Sequence, residues 1–136
     1  MKVKNCLTGQ ETSEMMRACR EEAARNQWAV SIAIVDDSGN LLHLERLDGA
    51  GGQTPELATL KAATSALTRF STKTVEDMLK DRPAIMTFPR RAPVQGGLPI
   101  TYRGEVVGAI GVSGMRPHED EQIAQAGIQL FQRLSS

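Results

Sequence analysis

The chain has 136 residues, 40% hydrophobic and 24% charged, enough for one domain with a real core and unlike a disordered segment. Its 16 basic and 16 acidic side chains cancel, and only five aromatics are present, which excludes general nucleic-acid binding through excess Lys and Arg or through a base-stacking platform. No apolar run resembles a signal-peptide core or approaches the roughly 20 residues that span a bilayer, so the expectation is a cytoplasmic protein with no membrane partner.

Thr8-Gly9-Gln10-Glu11 has the capping-box pattern, in which hydroxyl and carboxylate each satisfy an orphan amide. The helix it opens runs to about Asn26 and carries Met15, Met16, Cys19 and Ala23 on one stripe, so Cys19 is expected as a buried, reduced thiol. Trp28 to Val35 reads as a buried strand, Asp36 to Asn40 as a turn, and Leu41 to Arg46 as the return strand. Alternation puts Leu42, Leu44 and Arg46 on one face of that strand and Leu41, His43 and Glu45 on the other. Asp48 to Gln53 is a glycine-rich loop. Thr54 then caps a helix with Pro55 at its first position, and the expected core stripe is Leu57, Leu60, Ala63 and Leu67. A short helix is expected from about Thr74 to Asp81. Arg82 to Gln95 holds three prolines and three arginines, and loops of this length are often functional. Leu98 to Tyr102 and Glu105 to Val112 form a second hairpin. Pro117 opens a last helix whose first turn places Glu119, Asp120 and Glu121 at the positive dipole end. The order α-β-β-α-α-β-β-α makes the fold class α+β, with a central antiparallel β-sheet flanked by helices.

Six of the 12 glycines fall between Gly96 and Gly114, among apolar β-formers. Glycine weakens a strand, so this density points to bare backbone that a ligand or another backbone approaches closely. The spacing Gly108-x-x-Gly111-x-x-Gly114 inside a hairpin is not a dinucleotide fingerprint, which needs a βαβ unit. Lys61, Thr64, Ser65 and Thr68 form a polar stripe on the second helix. A half-desolvated lysine there suits carboxylate binding or base chemistry, and the same spacing also describes an ordinary helix flank. Arg46 shares a face with two leucines, which calls for a partner such as Asp48 or a ligand, unless it reaches solvent at the strand end. Gly49 to Gly52 ahead of a helix N-terminus form a weak anion cradle without the P-loop lysine. Neither His43 nor His118 has a second ligand at metal spacing, so no metal site is expected.

Val35-Asp36-Asp37-Ser38-Gly39-Asn40, Arg46-Leu47-Asp48-Gly49-Ala50, Lys61-Ala62, Gly96-Gly97-Leu98-Pro99-Ile100, Gly108-Ala109-Ile110-Gly111-Val112-Ser113-Gly114 and Glu119-Asp120-Glu121-x-Ile123-Ala124 occur in this order. Over essentially the whole chain this set resembles the GlcG/HbpS family, also called the haem-degrading domain family, and is similar to the C-terminal domain of PduO-type corrinoid proteins. The resemblance implies a central antiparallel sheet flanked by helices, a homo-oligomer, and haem or another tetrapyrrole as ligand. The matching motif positions are Arg46, Asp48, Gly49, Lys61, Gly96, Gly97, Ser113 and Gly114. A histidine in the N-terminal segment ligates haem in some relatives; this chain has none there.

The expected function is therefore small-ligand binding of the GlcG/HbpS type, with haem as the cofactor the resemblance implies. Lys61, Arg82, Arg90 and Arg91 are candidate cations for its propionates. The alternative is a lyase or isomerase acting on an anionic catabolite, with Lys61, Asp48 and Arg46 as the catalytic group. In either case Gly49, Thr64, Arg90, Arg91, Gly96, Gly97 and Ser113 are the expected ligand contacts. A third reading gives the glycine segment to subunit packing in a homo-oligomer.

Overall fold

The computed structural model describes residues 1–135. α1 (Gly9–Arg25) starts at the expected capping box, where the Glu11 carboxylate accepts from the Thr8 amide at 2.8 Å. β1 (Ser31–Asp36) and β2 (Leu41–Arg46) form the first hairpin, and β3 (Gly97–Tyr102) and β4 (Glu105–Ser113) the second. They make one antiparallel sheet in the order β2-β1-β4-β3, so the glycine-rich β4 lies inside the sheet and β2 and β3 are its edges. α2 (Thr54–Thr68) and α3 (Thr72–Met78) follow the first hairpin, and α4 (Pro117–Ser135) ends the chain. The expected order and fold class are those of the structure. The short helix begins two residues before its expected start, because Ser71 takes the cap and its hydroxyl accepts from the Thr74 amide. A 3-10 helix, Pro83–Thr87, occupies part of the long loop.

Two unlike cores sit on the two faces of the sheet. On one face α1 and α4 pack Met15, Met16, Cys19, Ile123, Ala124 and Phe131 against Ile32, Ile34, Ile110 and Val112. Each large side chain buried there stabilises the fold by about 1.5–3 kcal/mol. Burial pushes the Cys19 thiol up to about 12, which keeps it protonated and inert. The other core is made of small residues: Ala58, Ala62 and Ala66 of α2 lie on Ala33, Val35 and Ala109.

This second core corrects the expected stripe on α2. Leu57 and Leu60 are only half-buried and Leu67 is exposed, while the alanines between them face the sheet. The cause lies in β4. A Cβ at Gly111 would stand 2.1 Å from the Ala58 carbonyl oxygen and 2.5 Å from the Ala62 amide nitrogen. Helix backbone and strand backbone are in direct contact, and no leucine fits between them.

The first hairpin also departs from simple alternation. A bulge between Ile34 and Val35 pairs Val35 with Leu41 and leaves Leu42 without a cross-strand partner. Leu41 therefore leaves the His43 face on which alternation placed it.

Candidate functional site

Lys61 is the side chain the structure treats most unexpectedly. Only 4% of it is exposed, and its ammonium donates to the Val112 carbonyl at 2.9 Å and to Asp120 Oδ2 at 3.2 Å. Asp120, 2% exposed, also accepts from the Met115 amide at 2.9 Å. Lys61 belongs to the α2 layer and Asp120 to α4 on the opposite face, so the pair ties the two helical layers across the end of the sheet. Gly96 makes the passage. A Cβ there would lie 2.8 Å from Lys61 Nζ, and the backbone sits at φ +135°, a region open to glycine. Burial pushes the Asp120 carboxyl above its ordinary value, while the Lys61 charge and the Met115 amide pull it back. Sequence reasoning gave Asp120 only a helix-dipole role. The missing signal was available: a lysine on a buried stripe requires a carboxylate.

The other expected site residues divide into those that hold loops and those left open. Arg46 does not pair with Asp48. Its guanidinium forks onto the Ala50 carbonyl, Nε at 3.1 Å and Nη2 at 2.8 Å, and so shapes the loop before α2. Asp48 is exposed beside Trp28 and Leu47, in a groove of about 510 Å³ under the end of α1. Gly49 takes a left-handed turn at φ +89°. Thr64 is fully buried; its hydroxyl donates to Leu60 and accepts from the Ala92 amide at 2.8 Å, anchoring the long loop. Arg90 donates to the Gly39 carbonyl, and Arg91 donates to Pro89 and lies over the Phe88 ring. Gly97 is packed on the Lys61 backbone, and its amide donates to Thr72 Oγ1 at 2.7 Å. That amide is not free to hold an oxyanion. Ser113 lies near the Gly51–Gly52 loop, in a groove of about 400 Å³ lined by residues 51–54 and 113–115. Arg46, Lys61, Thr64, Gly96 and Gly97 thus support the surroundings of a site more than they line one.

A separate groove of about 310 Å³ lies where the N-terminal segment meets the second hairpin and the end of α4. Cys6, Leu7, Tyr102, Val107, Phe131 and Leu134 line it. Arg103, next in the chain after Tyr102, has its guanidinium 5.1 Å from the centre of the Tyr102 ring. Sequence reasoning missed this site, because its walls come from three distant segments that share no motif.

A family model described as haem degrading protein HbpS-like matches residues 7–129. The chain belongs to the HbpS-like family. It is 41% identical over 114 residues to the protein GlcG of Escherichia coli (strain K12), covering 83% of this chain and 85% of that protein. The crystal structure of a double mutant of Streptomyces reticuli HbpS superposes with a TM-score of 0.92 and 34% identity, over 96% of this chain and 90% of that one. The crystal structure of a PduOC–heme complex matches with a TM-score of 0.85 and 25% identity, over 92% of this chain and 94% of that one. Among the described residues no helix is long and apolar enough to cross a membrane. These likenesses bear out the resemblance carried by the sequence motifs, and the HbpS-like fold is the one the sheet order describes.

Proposed function

We propose that this HbpS-like chain binds haem, and that it does so in the groove beside Cys6 and Tyr102. The observation that supports this reading is the chemistry of that groove. Its walls mix the apolar Leu7, Val107, Phe131 and Leu134 with the polar Asn5, Glu11 and Ser135, and it holds a thiol and a phenol, both of which serve as axial groups to haem iron. Arg103, stacked on the Tyr102 ring, is the cation this reading assigns to a propionate. The two histidines fit less well. His43 stands on an edge strand with Nε2 3.5 Å from a Glu45 oxygen, and His118 lies among Glu22, Glu121 and glutamines. The PduOC–heme neighbour supports the ligand class. Lys61, spent on Val112 and Asp120, is not available as the base of the lyase or isomerase alternative, which leaves that role to Asp48.

Titration with hemin is expected to give a saturable Soret shift at one equivalent per subunit. Cys6→Ser combined with Tyr102→Phe should weaken binding by about tenfold or more, a loss of about 1.4 kcal/mol. A shift that never saturates, or a double variant that binds like the wild type, would overturn the proposal.

We infer in addition that the chain works as a homo-oligomer. The edge strand β2 exposes Leu41, Leu42 and Leu44 to 48, 44 and 36%, an apolar edge that a lone subunit leaves open. Light scattering should report a multiple of the 14.8 kDa subunit mass, and Leu42→Lys should reduce it. A monomeric wild type removes the inference.

A further inference from the structure

Five of the 12 glycines, Gly96, Gly97, Gly108, Gly111 and Gly114, are packed against the chain's own backbone too closely for a Cβ. Gly51 and Gly52 are not. A Cβ at Gly52 would meet nothing within 4 Å, and one at Gly51 only the Thr54 methyl at 3.7 Å. The fold leaves this backbone bare where it enters α2, a helix of 15 residues, and faces the groove of about 400 Å³. The amides of Gly52 and Gln53 donate to no acceptor among the described residues, and Gln53 gives the helix no side-chain cap.

A second observation comes from the opposite wall. Ser31, Thr54 and Ser113 bring three hydroxyls together, because Ser31 and Ser113 are cross-strand partners on the sheet face that carries α2. Thr54 Oγ1 donates to the Gly51 carbonyl at 2.7 Å and therefore accepts from Ser31, whose hydroxyl lies 2.8 Å away. Those two are satisfied. Ser113 is only 5% exposed, lines the groove, and has no hydrogen-bond partner for its hydroxyl among the described residues. The residue is packed on its other sides, so this unpaired hydroxyl opens onto the groove, where a ligand can take it as a donor.

We propose that this groove binds a small carboxylate, held by the Ser113 hydroxyl and the Gly52 and Gln53 amides at the positive end of α2. The helix terminus and free donors call for an anion. No lysine or arginine lines the groove, so a single negative charge fits better than a dianion. The Lys61–Asp120 pair sets the far wall, since Asp120 holds the Met115 amide and Lys61 the Val112 carbonyl. This site is separate from the groove proposed for haem.

The test is an amide chemical-shift titration of the isotopically labelled protein with sodium acetate, against sodium chloride at matched ionic strength. Saturable shifts are expected at Gly52, Gln53 and Ser113 with acetate, and none with chloride. Ser113→Ala should weaken acetate about tenfold, as for a hydrogen bond to a charged group. Gly52→Ala, whose methyl enters open groove, should weaken it with an unchanged melting temperature. Shifts that match chloride, or affinities unchanged in both variants, overturn the site. Tighter binding of inorganic phosphate than of acetate overturns the carboxylate assignment.

Discussion

Gly111→Val is expected to destabilise the fold by about 3 kcal/mol or more, a fall in Tm of roughly 10 °C. The added Cβ would meet the Ala58 carbonyl oxygen at 2.1 Å and the Ala62 amide nitrogen at 2.5 Å. Both are backbone atoms of a helix packed along its length, and neither yields the way a flexible side chain does. The whole of α2 must lift from the sheet, which opens the alanine core around Ala33 and Ala109. Gly52→Ala is the matched control and should stay within about 0.5 kcal/mol, because open space surrounds that position. Thermal and urea unfolding of the two variants check the contrast. The glycine segment was also open to a subunit-packing reading; at Gly111 the neighbour is the chain's own helix. A Gly111→Val variant that dissociates into folded, normally stable subunits would contradict this account.

Lys61→Met should cost about 3–5 kcal/mol, because it leaves the Asp120 carboxylate buried without its cation. The loss depends on pH with a definite sign. Burial already holds the Asp120 pKa above its unfolded value of 3.8, and removing Lys61 raises it further. A group with a raised folded pKa contributes its stability below the unfolded pKa and loses it as pH rises through the folded one. The variant's deficit is therefore smallest in acid and grows toward neutrality. Adding Asp120→Asn to Lys61→Met keeps an acceptor for the Met115 amide without a buried charge. It should recover most of the loss, giving a coupling of about 2 kcal/mol or more in a double-mutant cycle. Additive single effects, measured by urea unfolding across pH, would show that the pair is not one unit.

The helices and hairpins were legible because each is announced locally. Thr8 and Glu11 announce α1, Pro55 announces α2, and the Arg103-Gly104 turn separates β3 from β4. The motif set also named the family. The face of α2 was not legible: hydropathy favours the leucines, and the sheet takes the alanines because β4 has glycine opposite them. Arg46 was rightly read as needing a partner, yet its partner is a carbonyl four residues away, and a backbone acceptor leaves no mark in a sequence. Ser113 shares a groove with Gly51 and Gly52, and no spacing along the chain brings that strand residue to the loop ahead of α2.

Element order, fold class and family follow from the chain itself, since capping, turn chemistry and alternation act over a few residues. Three-dimensional packing was needed to show that Lys61 is a tie between layers, that Gly96 is the passage for it, and that Ser113 is left with a free hydroxyl. Those properties depend on distances between segments 51 and 59 residues apart in the case of Lys61, Val112 and Asp120. Burial and pairing are set by the atoms that finally meet, and no local pattern encodes them.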